Sequence, residues 1–354
     1  VSTPWSTLRE LWHGLTRPSL GALLVTLAVP AAALTLCCLL ITPELIASEA
    51  HRYFARDGTD GDLYLTARLA ALARVTPVEP VVVVLGGSSM VEAFSDPEAL
   101  EAVIRNNGAG EVTVWGLASW GQSLDGSLAI ARRLPEHLQG VVLIGVTPFA
   151  LALGPDVRPG MLVESWDFDE TSIGLALTSD EGNFFWRNRA FFLPRLGYLA
   201  RNLWKGPVTH AVHPFTWQKA PIGEAEWERL APRLRRRIDD SYERNLVRCL
   251  ATIEAIAAEA RRRGRMEVVI LESPIAPRAI EEVLGETFWR EHRARLDSFA
   301  RARGMQYWFL QDEAALESVD FYDLNHLFKW PAIDRHTRVL GRHAADLLRD
   351  EGIA

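Results

Sequence analysis

Residues 81–94 read VVVVLGGSSMVEAF. Four valines and a leucine in succession lack the alternation of a half-buried strand, so the run predicts a strand covered on both faces, as inside a parallel sheet. It stops at Gly86 and Gly87 and passes into Ser88 and Ser89. In open α/β sheets such a strand ends at the edge where ligands bind. A serine on a tight turn there projects its hydroxyl and its backbone N–H into the same space, and glycines permit the turn and leave room for a substrate. A phosphate-binding turn or an ordinary strand-to-helix connection would use the same residues. The stretch therefore predicts a strand and nominates a site.

Working outward, further short apolar runs lie at 112–117, 141–146, 268–271 and 305–310. Helical stripes alternate with them, one through Leu124, Leu128, Ala131 and Leu134. A long stripe runs through Ile238, Tyr242, Leu246, Cys249, Ile253, Ile256 and Ala260, with Gly264 at a C-cap position; a last one runs through Ile333, Leu340, Ala344 and Leu347. Buried strands alternating with helices predict an α/β fold, a parallel sheet covered by helices on both faces. Residues 147–224 break that rhythm. They carry Phe149, Trp166, Phe168, Phe184, Phe185, Trp186, Phe191, Phe192, Tyr198, Trp204, Phe215 and Trp217. This reads as an aromatic-rich insertion over the strand ends, most of it a satellite core, with some rings left to line a sugar groove or rest on a membrane.

The N-terminus adds a second element. Residues 19–42 contain no charged side chain, and at about 1.5 Å per residue the stretch exceeds a hydrocarbon core of roughly 30 Å. Arg9, His13 and Arg17 precede it; Glu44 and Glu49 follow it. The distribution predicts a cytoplasmic tail (1–18), a single transmembrane anchor (19–42) and everything beyond it outside. A cleaved signal peptide ending near Ala31 and Ala33 is the competing expectation, but the apolar run continues well past that site. Leu36 before Cys37 is too bulky for a lipoprotein junction. A connector (43–79) then leads to the domain at 80–350.

The 38 basic residues against 45 acidic ones give a net charge of −7, without the basic surplus of a nucleic-acid binder. All basic residues but Lys205, Lys219 and Lys329 are arginines, a bias of GC-rich bacterial genomes. Cys249 alone lies outside the apolar stretch, so the domain closes no internal disulfide. Asp239 and Asp240, and the group Asp167, Asp169 and Glu170, have no histidines at metal-ligand spacing. No metal and no cofactor is expected. The arginines at 233, 235–237 and 261–263 read as solvated helix faces.

A serine nucleophile needs a base, and the base an orienting group. Of the histidines beyond the apolar stretch only His326, in DFYDLNHLF, has a carboxylate three residues earlier, Asp323. A D-x-x-H turn lets the carboxylate hold one ring nitrogen while the other faces the serine; a surface histidine near a helix start fits the same letters.

Together LGGSSM (85–90) and DLNH (323–326) resemble the first and last sequence blocks of the SGNH, or GDSL-type, hydrolases. The resemblance implies a flavodoxin-like three-layer α/β/α sandwich with Ser88 as nucleophile, His326 as general base and Asp323 as its orienter. Ser89 is the competing nucleophile if the block is read from Gly87. WGLASWGQS (115–123) resembles the second block and implies the Gly121 N–H as oxyanion donor beside that of Ser88. The third block departs from the family: in LIGVTPF, Thr147 stands where an asparagine is usual. Loss of one oxyanion donor costs a hydrolase roughly 10²–10³ in turnover.

An anchored domain of this kind resembles the D-alanyl-transfer protein of teichoic acid pathways and the alginate O-acetylation proteins. That implies a bacterial cytoplasmic-membrane protein with its domain outside, moving acyl groups (acetyl above all) on an envelope polysaccharide beside a membrane-bound O-acyltransferase. A plain anchored esterase or lipase, and a catalytically silent glycan-binding or scaffold subunit, are the alternatives.

Overall fold

The computed structural model describes residues 20–42, 79–94, 96–155, 183–205 and 220–353, with positions 45, 65, 68, 69 and 72. The expected tail, most of the connector and the insertion residues 156–182 and 206–219 lie outside the described residues, Trp166, Asp167, Phe168, Asp169, Glu170, Phe215 and Trp217 among them.

The chain runs from α1 (Leu20–Leu40) to β1 (Val81–Leu85), the one-turn α2 (Ser88–Val91), α3 (Pro97–Asn106), β2 (Thr113–Gly116), α4 (Leu124–Ala131), β3 (Leu138–Val146) and α5 (Pro148–Leu153). Then come α6 (Phe184–Arg187), α7 (Arg189–Phe192), a 3₁₀ turn, α8 (Leu196–Lys205), the long α9 (Glu224–Arg263), β4 (Gly264–Glu272), α10 (Glu286–Ala302), β5 (Gln306–Phe309) and α11 (Trp330–Asp350). All five strands are parallel, in the order β2-β1-β3-β4-β5. This is the flavodoxin-like order, in which the first crossover runs outward and the rest run the other way. Every position of β1 is buried, so both faces of the sheet are covered. On one side α3 packs against α11; α9 packs against α4 and α5.

The strands are longer or shorter than the apolar runs by a few residues, because pairing, not composition, sets their ends. The largest difference is α9, which begins at Glu224 and runs through Pro232; Trp227 and the half-buried Leu230, Ala231 and Leu234 carry its apolar face back to that start. Gly264 is its C-cap, with the N–H bonded to Arg261 O, but not in a left-handed conformation. The backbone there is already extended and opens β4, and a Cβ would lie 2.0 Å from the Leu138 carbonyl oxygen of β3. The glycine is required by the strand contact. The same holds at Gly140 of β3, with φ of 149° and a Cβ position 1.9 Å from the Val81 oxygen.

The expected insertion also starts later than residue 147. Phe149, Leu151 and Ala152 of α5 belong to the main core. Phe184, Phe185, Phe191, Phe192 and Leu199 form a separate small core with Ile41, against which Leu34, Cys37 and Cys38 of α1 pack. These four phenylalanines form a satellite core, not a sugar-binding wall. Over the residues whose side chains are described, no helix is long and apolar enough to cross a membrane; in α1 the continuous part of that run is 24–40.

Candidate active site

Gly86 (φ 146°) turns the chain sharply at the end of β1, and Gly87 is the N-cap of α2. Ser88 thereby becomes the first residue of a helical turn, where its N–H has no intrahelical acceptor. Met90 anchors the turn from below: it is fully buried, 3.8 Å from the Ser273 hydroxyl, and fills the space that a side chain on Gly145 would occupy. Gly145 is thus a packing residue, as its place in the third strand implies.

The other half of the site is a loop before α11. A bridge between Phe321 and Leu327 and a bond from Tyr322 N to His326 O (2.8 Å) close it. Phe321, Leu324, Leu327 and Phe328 are buried and fasten it to the core. Backbone bonds from Ile222 N to Tyr322 O and from Ala276 N to Leu324 O, both 2.8 Å, fix it from outside. Inside the loop, Asp323 Oδ1 accepts from the N–H groups of Asn325 (3.0 Å) and His326 (3.1 Å). This is the local turn that aspartate favours.

The two halves meet. His326 Nδ1 lies 2.9 Å from both Asp323 oxygens, and His326 Nε2 lies 2.8 Å from Ser88 Oγ. With Nδ1–H donated to the carboxylate, Nε2 offers its lone pair to the serine proton. Trp120 lies parallel to the imidazole, the ring centroids 6.2 Å apart. His326 reaches Ser88 and not Ser89, whose side chain is buried.

Electrostatics favour the ion pair that transfer of the serine proton to His326 would create. Burial raises the Asp323 carboxyl, but the charge and hydrogen bond of His326, with the two backbone N–H groups, outweigh it and hold the group below the usual carboxylate value. Burial pushes His326 down, yet the charge and hydrogen bond of Asp323 prevail, Glu92 adds to them, and the imidazole lies above its ordinary value. Glu92 is fully buried and follows Ser88 by one helical turn. Sequence reasoning missed it; the i, i+4 spacing from the serine was the available signal.

The expected oxyanion donors are less closely tied to the serine. Gly121 has a left-handed φ of 69°, in a loop held by Ser119 N to Gly86 O (3.1 Å) and by Gln122, which accepts from Ser119 Oγ and donates to Ser127 Oγ. The loop thus borders the nucleophile turn: a Cβ on Gly87 would stand 3.4 Å from the Gln122 oxygen. Thr147 is buried and caps α5, its Oγ1 accepting from Ala150 N at 3.1 Å. Among the described residues no hydrogen bond joins Gly121 or Thr147 to Ser88.

A second histidine–carboxylate pair lies in the core. His292 Nε2 is 2.8 Å from Glu272 Oε2, Tyr242 OH is 2.7 Å from His292 Nδ1, and Tyr307 OH donates to the same Glu272 oxygen at 3.0 Å. Burial, then the Glu272 charge, raises both tyrosines. These bonds tie α9, β4, α10 and β5 together, and the side chains of His292 and Glu272 are wholly enclosed.

No protein-family model matches the chain, and a search of curated proteins finds no match.

Proposed function

We propose that this chain is an SGNH-type serine acyltransferase or esterase, anchored in a bacterial cytoplasmic membrane with its domain outside. It would move O-acyl groups, acetyl above all, on an envelope polysaccharide. The observation that carries the chemistry is His326 bridging Ser88 and Asp323 at 2.8 and 2.9 Å. In that arrangement Ser88 Oγ attacks an ester carbonyl while His326 Nε2 takes its proton. The tetrahedral intermediate collapses to an acyl-serine as His326 returns the proton to the departing alcohol, and water or a sugar hydroxyl then takes the acyl group by the same steps in reverse.

The anchor reading draws on α1, which has no charged residue, and on Leu24, Val25, Leu27, Val29, Leu36, Leu39 and Leu40, each more than half exposed. So large an apolar surface on one helix favours lipid over water. A membrane-bound O-acyltransferase as acyl supplier is part of the same proposal. A plain anchored esterase or lipase is the first runner-up. The reading from a different class, a silent glycan-binding or scaffold subunit, draws on Thr147, whose hydroxyl oxygen is engaged in capping α5 where the family places an asparagine.

A fluorophosphonate probe on the full chain separates the readings. The enzyme reading expects covalent labelling, lost in Ser88→Ala and retained in Ser89→Ala. No labelling of a folded wild-type protein leaves the binding subunit. Between the enzymes, a transferase shows slow hydrolysis of small acetyl esters and acylated oligosaccharide when an acceptor is added. Fast p-nitrophenyl acetate turnover that no glycan diverts means an esterase.

A further inference from the structure

The segment 183–205 carries Arg187, Arg189, Arg195, Arg201 and Lys205 and not one carboxylate, within a chain of net charge −7. It is helical nearly throughout and has two apolar faces. One, through Phe184, Phe185, Phe191, Phe192 and Leu199, packs on the last turns of α1. Asn183 Nδ2 also donates to the Cys38 carbonyl at 2.7 Å, so the segment is fastened to the C-terminal end of α1. The other face looks outward. Trp186, Ala190, Leu193, Gly197, Arg201 and Trp204 recur at the spacing of one helical stripe, and all six are exposed. Trp204 is 92% exposed and Trp186 52%. Arg189 lies over the Trp186 ring at 5.2 Å, bringing a cation to the same surface.

We propose that this outward face docks on the interfacial zone of an anionic lipid bilayer, with Trp186, Leu193 and Trp204 among the headgroups and acyl ends and the flanking cations on lipid phosphates. The inference rests on the membrane reading of α1 above and adds that a second element lies on the surface. Two independent observations point to lipid. The charge of the segment is of one sign, complementary to anionic headgroups, whereas a protein groove for an apolar face carries no such demand. The segment is also bound to α1 through its inner face: a helix fastened to the last turns of a membrane-embedded helix sits at the depth where tryptophan and arginine are favoured. Fixed there, the segment would be a strut between anchor and domain.

Photo-crosslinking tests this on the full chain. Benzoylphenylalanine is placed singly at position 204, at position 27 on the exposed face of α1, or at position 247, an exposed site on α9. Each variant is reconstituted in vesicles of phosphatidylcholine with phosphatidylglycerol and irradiated, and native membranes are treated in parallel. The expected result is a lipid adduct at 204 several-fold above that at 247, reduced when Arg189→Gln and Arg201→Gln are combined or when phosphatidylglycerol is omitted. Lipid adducts at 27 but not at 204 overturn the proposal and leave the anchor standing. Lipid adducts at 204 but not at 27 uphold the docking face and remove the anchor. Lipid adducts at neither remove both. A protein adduct at 204 in native membranes, in place of a lipid one, assigns the face to a protein partner and overturns the proposal.

Discussion

Asp323→Asn isolates the orienting role of the carboxylate. Asp323 Oδ1 accepts two backbone N–H groups, from Asn325 and His326, and these close the loop that holds the histidine. In the variant the amide oxygen takes this position, because turning the NH₂ group there would leave both donors unsatisfied at about 1–3 kcal/mol each. The amide nitrogen therefore replaces Oδ2, 2.9 Å from His326 Nδ1, and donates to it, while the amide oxygen, equally near Nδ1, is already engaged by the two turn N–H groups. The imidazole then carries its proton on Nε2, pointing at Ser88 Oγ, and has no lone pair for the serine proton. Loss of the correct tautomer costs about 10³–10⁴ in acylation, or roughly 4–5.5 kcal/mol of barrier at 1.36 per tenfold. Stability should barely change, because the turn bonds survive. Asp323→Ala, by contrast, removes both turn bonds and should lower stability by about 2 kcal/mol. The assay is the second-order rate of fluorophosphonate labelling, paired with thermal melting. An Asn variant that melts like the wild type and labels within a few-fold of its rate would refute the assignment of Asp323.

Three further outcomes are expected. Labelling needs neutral His326, whose proton affinity is raised, so the rate should climb with pH around a midpoint above that of an ordinary histidine; Glu92→Gln removes one raising charge and should move the limb to lower pH. An unchanged pH–rate profile would take Glu92 out of the site. His336 of α11 is buried, its Nδ1–H donating to Ala93 O at 2.6 Å, and burial pushes it down to about 4. Since the unfolded chain binds that proton from about pH 6.5, stability should fall by about 3 kcal/mol between pH 6.5 and 4, a loss that His336→Asn should flatten in pH-dependent melts. Gly145→Ala sets a Cβ 2.8 Å from Met90 Cγ and Sδ, so it should cost about 1–3 kcal/mol and slow labelling by displacing the turn under Ser88; an unperturbed melt and rate would show that Met90 moves freely.

The site was legible where its geometry is local. The D-x-x-H spacing reports a single turn of chain, and the abrupt end of a valine run reports a sheet edge; the two were joined because each supplies what the other lacks chemically. The tertiary neighbours were not legible. Trp120 faces His326 from a distant part of the chain, so no local pattern encodes that contact; for Glu92 only its i, i+4 spacing from Ser88 is local, and its action on His326 is through space. The fold was read through its continuous apolar strands, while the start of α9 was missed because Pro232 mimics a helix boundary that packing overrides. Gly264 is the C-cap that a glycine after a helix predicts, but its extended backbone, continuing into β4, is not local information. Its real constraint, the Leu138 carbonyl, lies far away in the chain.

Ser88 and His326 stand 238 residues apart, and among the described residues His326 is the side-chain partner of the Ser88 hydroxyl. At roughly 5–20 residues per second, a ribosome delivers the histidine about 10–50 s after the serine. Through that interval β1 and its turn are present while the loop that carries the base does not yet exist. Under the proposed mechanism the unfinished chain therefore carries an ordinary alcohol at position 88, unreactive toward esters. Reactivity begins only when the loop at 321–327 docks ahead of α11, so under the proposed mechanism completion of the fold and the onset of chemistry are one event.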